Sequence, residues 1–301
     1  MPAAKSGNGR VEVRKTYKLF INGEFVRSES GRAYRFDGNV NIPRGSRKDL
    51  RDAVRAARGA VPGWSARTAM NRGQILYRAA EMLDGRRAQF IELLGQGGAA
   101  GAGSAGPAAS RGESPHKLTV RAAHKEVDDA VEALVWYAGW TDKLAQVIGA
   151  TTPVSGPYFN FTIPEPTGVV GIVAPEEPAL VGLVRRVAPA LCGGNALVVL
   201  APEETPLPAL TLAEVLATSD LPAGVVNVLS GFRKELLPWL ASHMDVNAID
   251  VAGCTPDEVT EIEKAAADNV KRVVKHAPEE MSPYLITAFM EMKTVWHPVG
   301  V

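Results

Sequence analysis

The sequence predicts an α/β fold, a parallel sheet of five strands flanked by helices, on three observations. Short apolar runs alternate with helix-period segments from Gly168 to Lys275. The runs are continuously apolar rather than alternating, as for strands buried on both faces. Helix start and stop signals fall between them, so strand, helix and strand follow one another as in a doubly wound sheet.

Residues 1–14 are polar and read as a disordered tail. Residues 17–27 read as a hairpin, because Leu19, Phe20 and Ile21 and then Phe25 and Val26 flank Asn22-Gly23, a pair suited to a type I′ turn. Ser46, with Asp49 three residues on, caps a helix whose apolar face is Leu50, Val54 and Ala57. A second helix follows Thr68, carrying Ile75, Leu76, Ala79 and Leu83 and later Phe90, Leu93 and Leu94. From Gly95 to Gly112 the chain is almost entirely Gly, Ala, Ser and Pro, too poor in large apolar groups to offset ordering entropy. A third helix is expected over 125–148, with Val127, Val131, Leu134, Val135 and Ala138 on one face.

The sheet strands are expected over 169–174, 196–200, 225–229, 248–251 and 270–275. Between them, a helix from Val181 to Cys192 stops at Gly193-Gly194. Another opens at Thr205-Pro206, with Pro at its first position. A third covers 235–242, and Thr255 with Glu258 forms a capping box for the fourth, which runs through Ala267. The last strand is expected over 285–296, with Ile286, Ala288, Met290 and Met292 on one face. A terminal strand of this kind is exposed unless another chain covers it.

Composition narrows the function. Lys plus Arg and Asp plus Glu both total 33, so no net field steers the chain toward nucleic acid or an anionic membrane. No apolar run approaches the roughly 20 residues of a membrane span, and the N-terminus carries no secretory pattern. Only Cys192 and Cys254 occur, which fits a reducing, cytoplasmic setting. His116, His124, His243, His276 and His297 lack metal-ligand spacing, so no metal site is expected.

Several ordered segments resemble the aldehyde dehydrogenase superfamily. They are Phe20-Ile21-Asn22-Gly23-Glu24-Phe25, Tyr137-Ala138-Gly139-Trp140-Thr141-Asp142-Lys143 and Glu165-Pro166-Thr167-Gly168-Val169-Val170-Gly171. Ala188 through Asn195 and Leu221 through Leu229 continue the series. The resemblance implies a Rossmann-like cofactor-binding domain over 167–283, preceded by its N-terminal helical part at 15–150 with a flexible loop at 95–112. It also implies bridging strands at 151–166 and an oligomerisation strand at 284–301. By the resemblance, NAD or NADP would lie against Val173, Ala174, Pro175, Glu177, Ala201, Glu204, Gly231, Gly253 and Cys254.

The departures from the family pattern fall at its reactive positions. The Pro-Trp-Asn turn that supplies an oxyanion donor is Pro175-Glu176-Glu177-Pro178 here, and an ionised carboxylate cannot donate. The ribose-binding Lys is replaced by Ala201, while Glu204 keeps a ribose-binding carboxylate. The helix start that faces the cofactor phosphates is Gly253-Cys254-Thr255, with Asp257-Glu258 in the same turn. The general base has no carboxylate in register, His276 being nearest, and the nucleophilic cysteine has no counterpart. No catalytic residue is therefore assigned.

Acidic pairs recur at Glu176-Glu177, Glu203-Glu204, Asp257-Glu258 and Glu279-Glu280. Each alone reads as solvated loop charge. Together they predict a cleft hostile to pyrophosphate, since like charges about 4 Å apart oppose each other by roughly 4 kcal/mol at an effective dielectric of ~20. Cys254 sits at a helix start, which lowers a thiol pKa, although a small residue in place of Ser is the plainer reading. The expected function is a catalytically incompetent structural or regulatory subunit. Its partner would be a full-length aldehyde dehydrogenase or further copies of this chain. Two alternatives stand beside it: an NAD(P)-binding module, and an oxidoreductase subunit that uses Cys254 or an active site completed by a partner.

Overall fold

The computed structural model describes residues 15–36, 40–96, 116–276 and 281–300. The tail 1–14, most of the Gly/Ala segment 95–112 and the pair Glu279-Glu280 lie outside them.

The N-terminal part comprises β1 (Leu19–Ile21), β2 (Glu24–Val26), β3 (Ala33–Phe36), β4 (Val40–Pro43), α1 (Arg47–Ser65), α2 (Ala69–Gly85), α3 (Arg87–Gln96), α4 (Val120–Ala138) and α5 (Leu144–Val147). There follow β5 (Tyr158–Pro166), β6 (Val169–Val173), α6 (Val181–Cys192), β7 (Ala196–Leu200), α7 (Pro206–Ala217), β8 (Val226–Leu229) and α8 (Arg233–Ser242). The chain closes with β9 (Ala248–Asp250), α9 (Pro256–Ala267), β10 (Arg272–Val274), α10 (Pro283–Thr287) and β11 (Met290–Pro298).

The five parallel strands expected from the apolar runs are present, in the order β10-β9-β6-β7-β8. Every residue of β6 and β7 is buried, which accounts for their lack of alternation. The N-terminal hairpin extends the sheet to seven strands, β1 pairing antiparallel with β8 through Phe20 and Val228. Its turn takes positive φ at both Asn22 (54°) and Gly23 (80°), as a type I′ turn requires.

Strand alternation sends side chains into two layers. Val170, Ile172, Leu197, Val199 and Val228 join α2, α4, α6 and α7 on one face. Val169, Val173, Val198, Leu200 and Ile249 join α1, α8 and α9 on the other.

Four elements differ from expectation. The second helix breaks at Arg86 into α2 and α3. The third starts earlier, because Thr119 accepts from the Ala122 N–H, and ends at Ala138, where the Gly139 N–H donates to Val135. The β3–β4 ribbon was not anticipated from its two four-residue strands. In the C-terminal segment, Ser282 caps a short helix α10 that buries Leu285 and Ile286, so the strand begins only at Met290, and it shows no alternation of burial.

β5 and β11 pair antiparallel over their whole length, from Tyr158 with Pro298 to Pro166 with Met290, in a ribbon separate from the main sheet. Its base is held where Arg272 donates to the Ala288 and Met290 carbonyls and pairs with Glu291 at 2.9 Å. Asn195 Nδ2 donates to the Phe289 carbonyl there as well. Beyond that base Tyr158, Phe159, Ile163, Val295 and Trp296 are exposed.

Candidate functional site at the carboxyl edge of the sheet

In an open parallel sheet, a ligand crevice forms beyond the carboxyl ends of the strands where the chain winds off in two directions. Here that point lies between β6, which leads on to β7, and β9 on its other side. The loops after β6, β7, β8 and β9 meet there and feed the N-termini of α6 to α9, whose free amides favour anions.

Each of those helix starts is occupied by a glutamate of the chain. At α6, Glu126 reaches across from α4 to accept from Leu180 N (2.7 Å) and Val181 N (3.3 Å). At α7, Glu176 accepts from the amides of Glu203 (2.8 Å), Glu204 (3.2 Å) and Thr205 (3.2 Å), and from the Thr205 hydroxyl. At α8, Glu203 accepts from the Arg233 amide. At α9, Glu258 accepts from Thr255 N (2.8 Å), completing the capping box read from the sequence.

Arg233 ties three of these carboxylates together. Its guanidinium lies 2.7 Å from Glu176 and 3.5 Å from Glu258, donates to the Gly253 carbonyl, and its own amide holds Glu203. Burial of Glu203 pushes its carboxyl above the ordinary range, opposed by the Arg233 amide and charge. Burial likewise raises Glu126, against the lowering effect of the two amides it accepts from. A second bridge is made by His116, with Nδ1 2.5 Å from Glu177 and Nε2 2.7 Å from Glu204. The repulsion expected between acidic pairs is therefore offset internally, by Arg233, His116 and backbone amides.

The sequence-predicted residues do gather at this edge. Val173, Ala174 and Ala201 are buried at the ends of β6 and β7, and the Ala174 and Ala201 amides donate across the sheet to Leu200 and Leu229. The Pro175 ring lies against Gly182, where a Cβ would stand 2.8 Å from it. Gly231 has φ 151° and sits under Gly45. The Gly253 amide donates to the Val173 carbonyl (3.0 Å), and a Cβ at Gly253 would fall 2.1 Å from the Ala174 oxygen. The loop after β9 thus packs directly on the backbone at the end of β6. At Cys254 the expected lowering is reversed, because burial and Glu258 push the thiol up to about 12.

Arg233, Glu126 and His116 were not assigned to the site from sequence. Arg233 follows Gly231-Phe232 at a helix start, a signal that was available. Glu126 and His116 lie 54 and 61 residues from their partners, and only the fold brings them in. His276 follows β10, beside the buried pair of Asp250 and Arg186 at 3.7 Å, and burial raises Asp250 against the pull of Arg186.

Two hollows adjoin the network. A groove of about 440 Å³ between α8 and α9 has Leu237, Ala241, Ile262 and Ala265 in its walls and Arg233, Asp257 and Glu261 among its polar groups. A second, of about 400 Å³, lies beneath His116 between Leu94, Leu118, Glu126 and Pro178. Among the described residues, no cluster of His, Cys, Asp and Glu is arranged to hold a metal, and no helix is long and apolar enough to cross a membrane.

Sheet order, layers and crevice define a dinucleotide-type α/β fold. The sequence pattern of the Aldehyde dehydrogenase family matches residues 37–102 and 116–278, and the chain belongs to that family. Among curated relatives, "Aldehyde dehydrogenase, cytosolic 1" of Elephantulus edwardii is 32% identical over 284 residues, 91% of this chain and 52% of its own length. "Omega-crystallin" of Enteroctopus dofleini is 31% identical over 276 residues, 88% of this chain and 51% of its own. The NAD+ complex of aldehyde dehydrogenase from Bacillus cereus superposes with a TM-score of 0.75 at 27% identity, covering 87% of this chain and 51% of that one. The chain spans about half the length of the curated relatives it matches.

Proposed function

We propose that this chain is a non-catalytic aldehyde-dehydrogenase-like subunit that works through assembly rather than through dinucleotide chemistry. The observation that carries the reading is the occupancy of every helix start at the crevice by a carboxylate of the chain itself. A pyrophosphate entering there must break hydrogen bonds to charged groups, each worth about 1.5–3 kcal/mol, and then face the released carboxylates. Ala201 offers no cation in exchange.

Two further features support the reading. The Cys254 thiol, held near pKa 12, supplies almost no thiolate at neutral pH. Between β10 and the ribbon strand β11 the sequence carries α10 and no cysteine that could serve as the family's nucleophile.

The ribbon supplies the assembly surface. An isolated two-stranded ribbon is marginal in water, and this one exposes aromatic and branched side chains along its length. A full-length aldehyde dehydrogenase, or a second copy of this chain, would cover them. Coexpression with a full-length aldehyde dehydrogenase from the same host tests this reading. A mixed oligomer of fixed ratio, or a discrete homo-oligomer, is expected, and a monodisperse monomer in both settings contradicts it.

The groove between α8 and α9 favours a second reading, a nucleotide-binding module without its own chemistry, because its apolar walls remain open while the phosphate positions are filled. Heat evolved on titration with NAD or NADP would favour that reading over the first.

A further inference from the structure

The ring of His116 stands between two carboxylates from different loops. Glu177 belongs to the β6–α6 loop and Glu204 to the β7–α7 loop. The backbone just beyond the ring is tied to α3, since the Leu118 amide two residues on donates to the Leu94 carbonyl (3.1 Å). A neutral imidazole has a single N–H, and its other nitrogen is an acceptor. With both nitrogens within 2.7 Å of carboxylate oxygens, a neutral ring would point a lone pair at an anion. Only the imidazolium donates to both.

We propose that His116 is a proton-operated clamp, whose imidazolium ties the β6–α6 loop to the β7–α7 loop and releases them when the ring deprotonates. The clamp sits over the hollow of about 400 Å³. It governs the spacing of these two loops at the carboxyl edge of the sheet, and does not rest on the loss of nucleotide binding.

The charges around the ring favour the protonated form. Glu177 and Glu204 touch it, and Glu176 and Glu126 line the same hollow from the β6–α6 loop and from α4, with Asp129 behind Glu126. Leu94 and Leu118 add apolar walls, Lys117 is the adjoining cation in the chain, and Arg233 is engaged by Glu176. Burial favours the neutral ring, but the hydrogen bonds and charges of Glu204 and Glu177 outweigh it and hold the pKa above the ordinary 6.5. A pKa raised by folding contributes stability that is complete below 6.5 and is lost as pH rises through the folded-state value. The loops are therefore tied on the acidic side and released on the alkaline side.

The test is amide hydrogen exchange of Glu176, Glu177, Ala179, Leu180, Glu203, Glu204 and Thr205 across pH 5.5 to 9, corrected for the intrinsic pH dependence of exchange. Wild type, His116→Gln and His116→Arg are compared, with thermal melts confirming that each is folded. In wild type, protection is expected to fall with rising pH by roughly tenfold for each unit by which the ring's pKa is raised. His116→Gln should be weakly protected and flat, and His116→Arg protected and flat. Wild-type protection that does not change with pH overturns the clamp, as does a His116→Gln profile that follows wild type. Either result leaves the subunit reading standing. Nucleotide binding would overturn that reading and leave the clamp.

Discussion

Arg233 places one positive charge among three carboxylates that share one small volume, and its backbone amide holds the third of them, Glu203. Removing one partner from a largely buried charge network costs more than the network itself contributes, because the remaining charges stay desolvated. Arg233→Met should lower stability by about 3 kcal/mol, read as a drop in urea midpoint at unchanged m-value; a loss within 0.5 kcal/mol would mean the carboxylates are solvated separately. Cys254 gives a second test. With its thiol near 12, iodoacetamide at pH 8.5 should label it roughly a thousandfold more slowly than a free cysteine, and comparable rates would contradict the burial described. The acidic pairs, the missing cation at Ala201 and the altered turn at Glu176-Glu177 were all legible in the sequence. What those acids contact was not, since Glu126, His116 and Arg233 are joined to them only by long-range packing.

At the scale of the element, two glycines separate close approach from helix propensity. A Cβ at Gly253 would meet the Ala174 carbonyl oxygen at 2.1 Å, whereas one at Gly59 in α1 meets nothing within 4 Å. Gly253→Ala should cost about 2–3 kcal/mol as β6 and β9 are forced apart. Gly59→Ala should stabilise by about 0.5–1 kcal/mol. Thermal melts of the two variants check both signs.

The ribbon is tested separately. Val295 is exposed in the middle of β11, opposite Phe161. Under the proposed assembly through this ribbon, Val295→Asp should lower the mass seen by light scattering, while changing the unfolding free energy of the remaining fold by less than about 1 kcal/mol. An assembly unchanged in mass would place the interface elsewhere.

Element identity followed from periodicity wherever the local signal was strong. The continuous runs at β6 and β7, the Asn22-Gly23 turn and the Thr255 capping box all stand as read. At the C-terminus the apolar residues Leu285, Ile286 and Phe289 fit either period, and burial of the segment beside α6 decides for a helix. The β3–β4 ribbon left little trace in sequence because its four-residue strands bury little beyond Phe36, Ile42 and Pro43.

At the scale of the whole molecule, a nucleotide-type fold is kept while its anion positions are filled from within. Two apolar layers enclose the sheet, and the antiparallel hairpin β1–β2 guards one edge. The loops at the crevice are held by the chain's own ion pairs and by the backbone contact at Gly253. On the function proposed above, these internal carboxylates take the place of the cofactor's phosphates. Isothermal titration of the purified chain with NAD and with NADP at neutral pH tests it most directly. No saturable heat is expected up to millimolar nucleotide; a stoichiometric isotherm with a micromolar Kd, about −8 kcal/mol of binding free energy, would overturn the proposal.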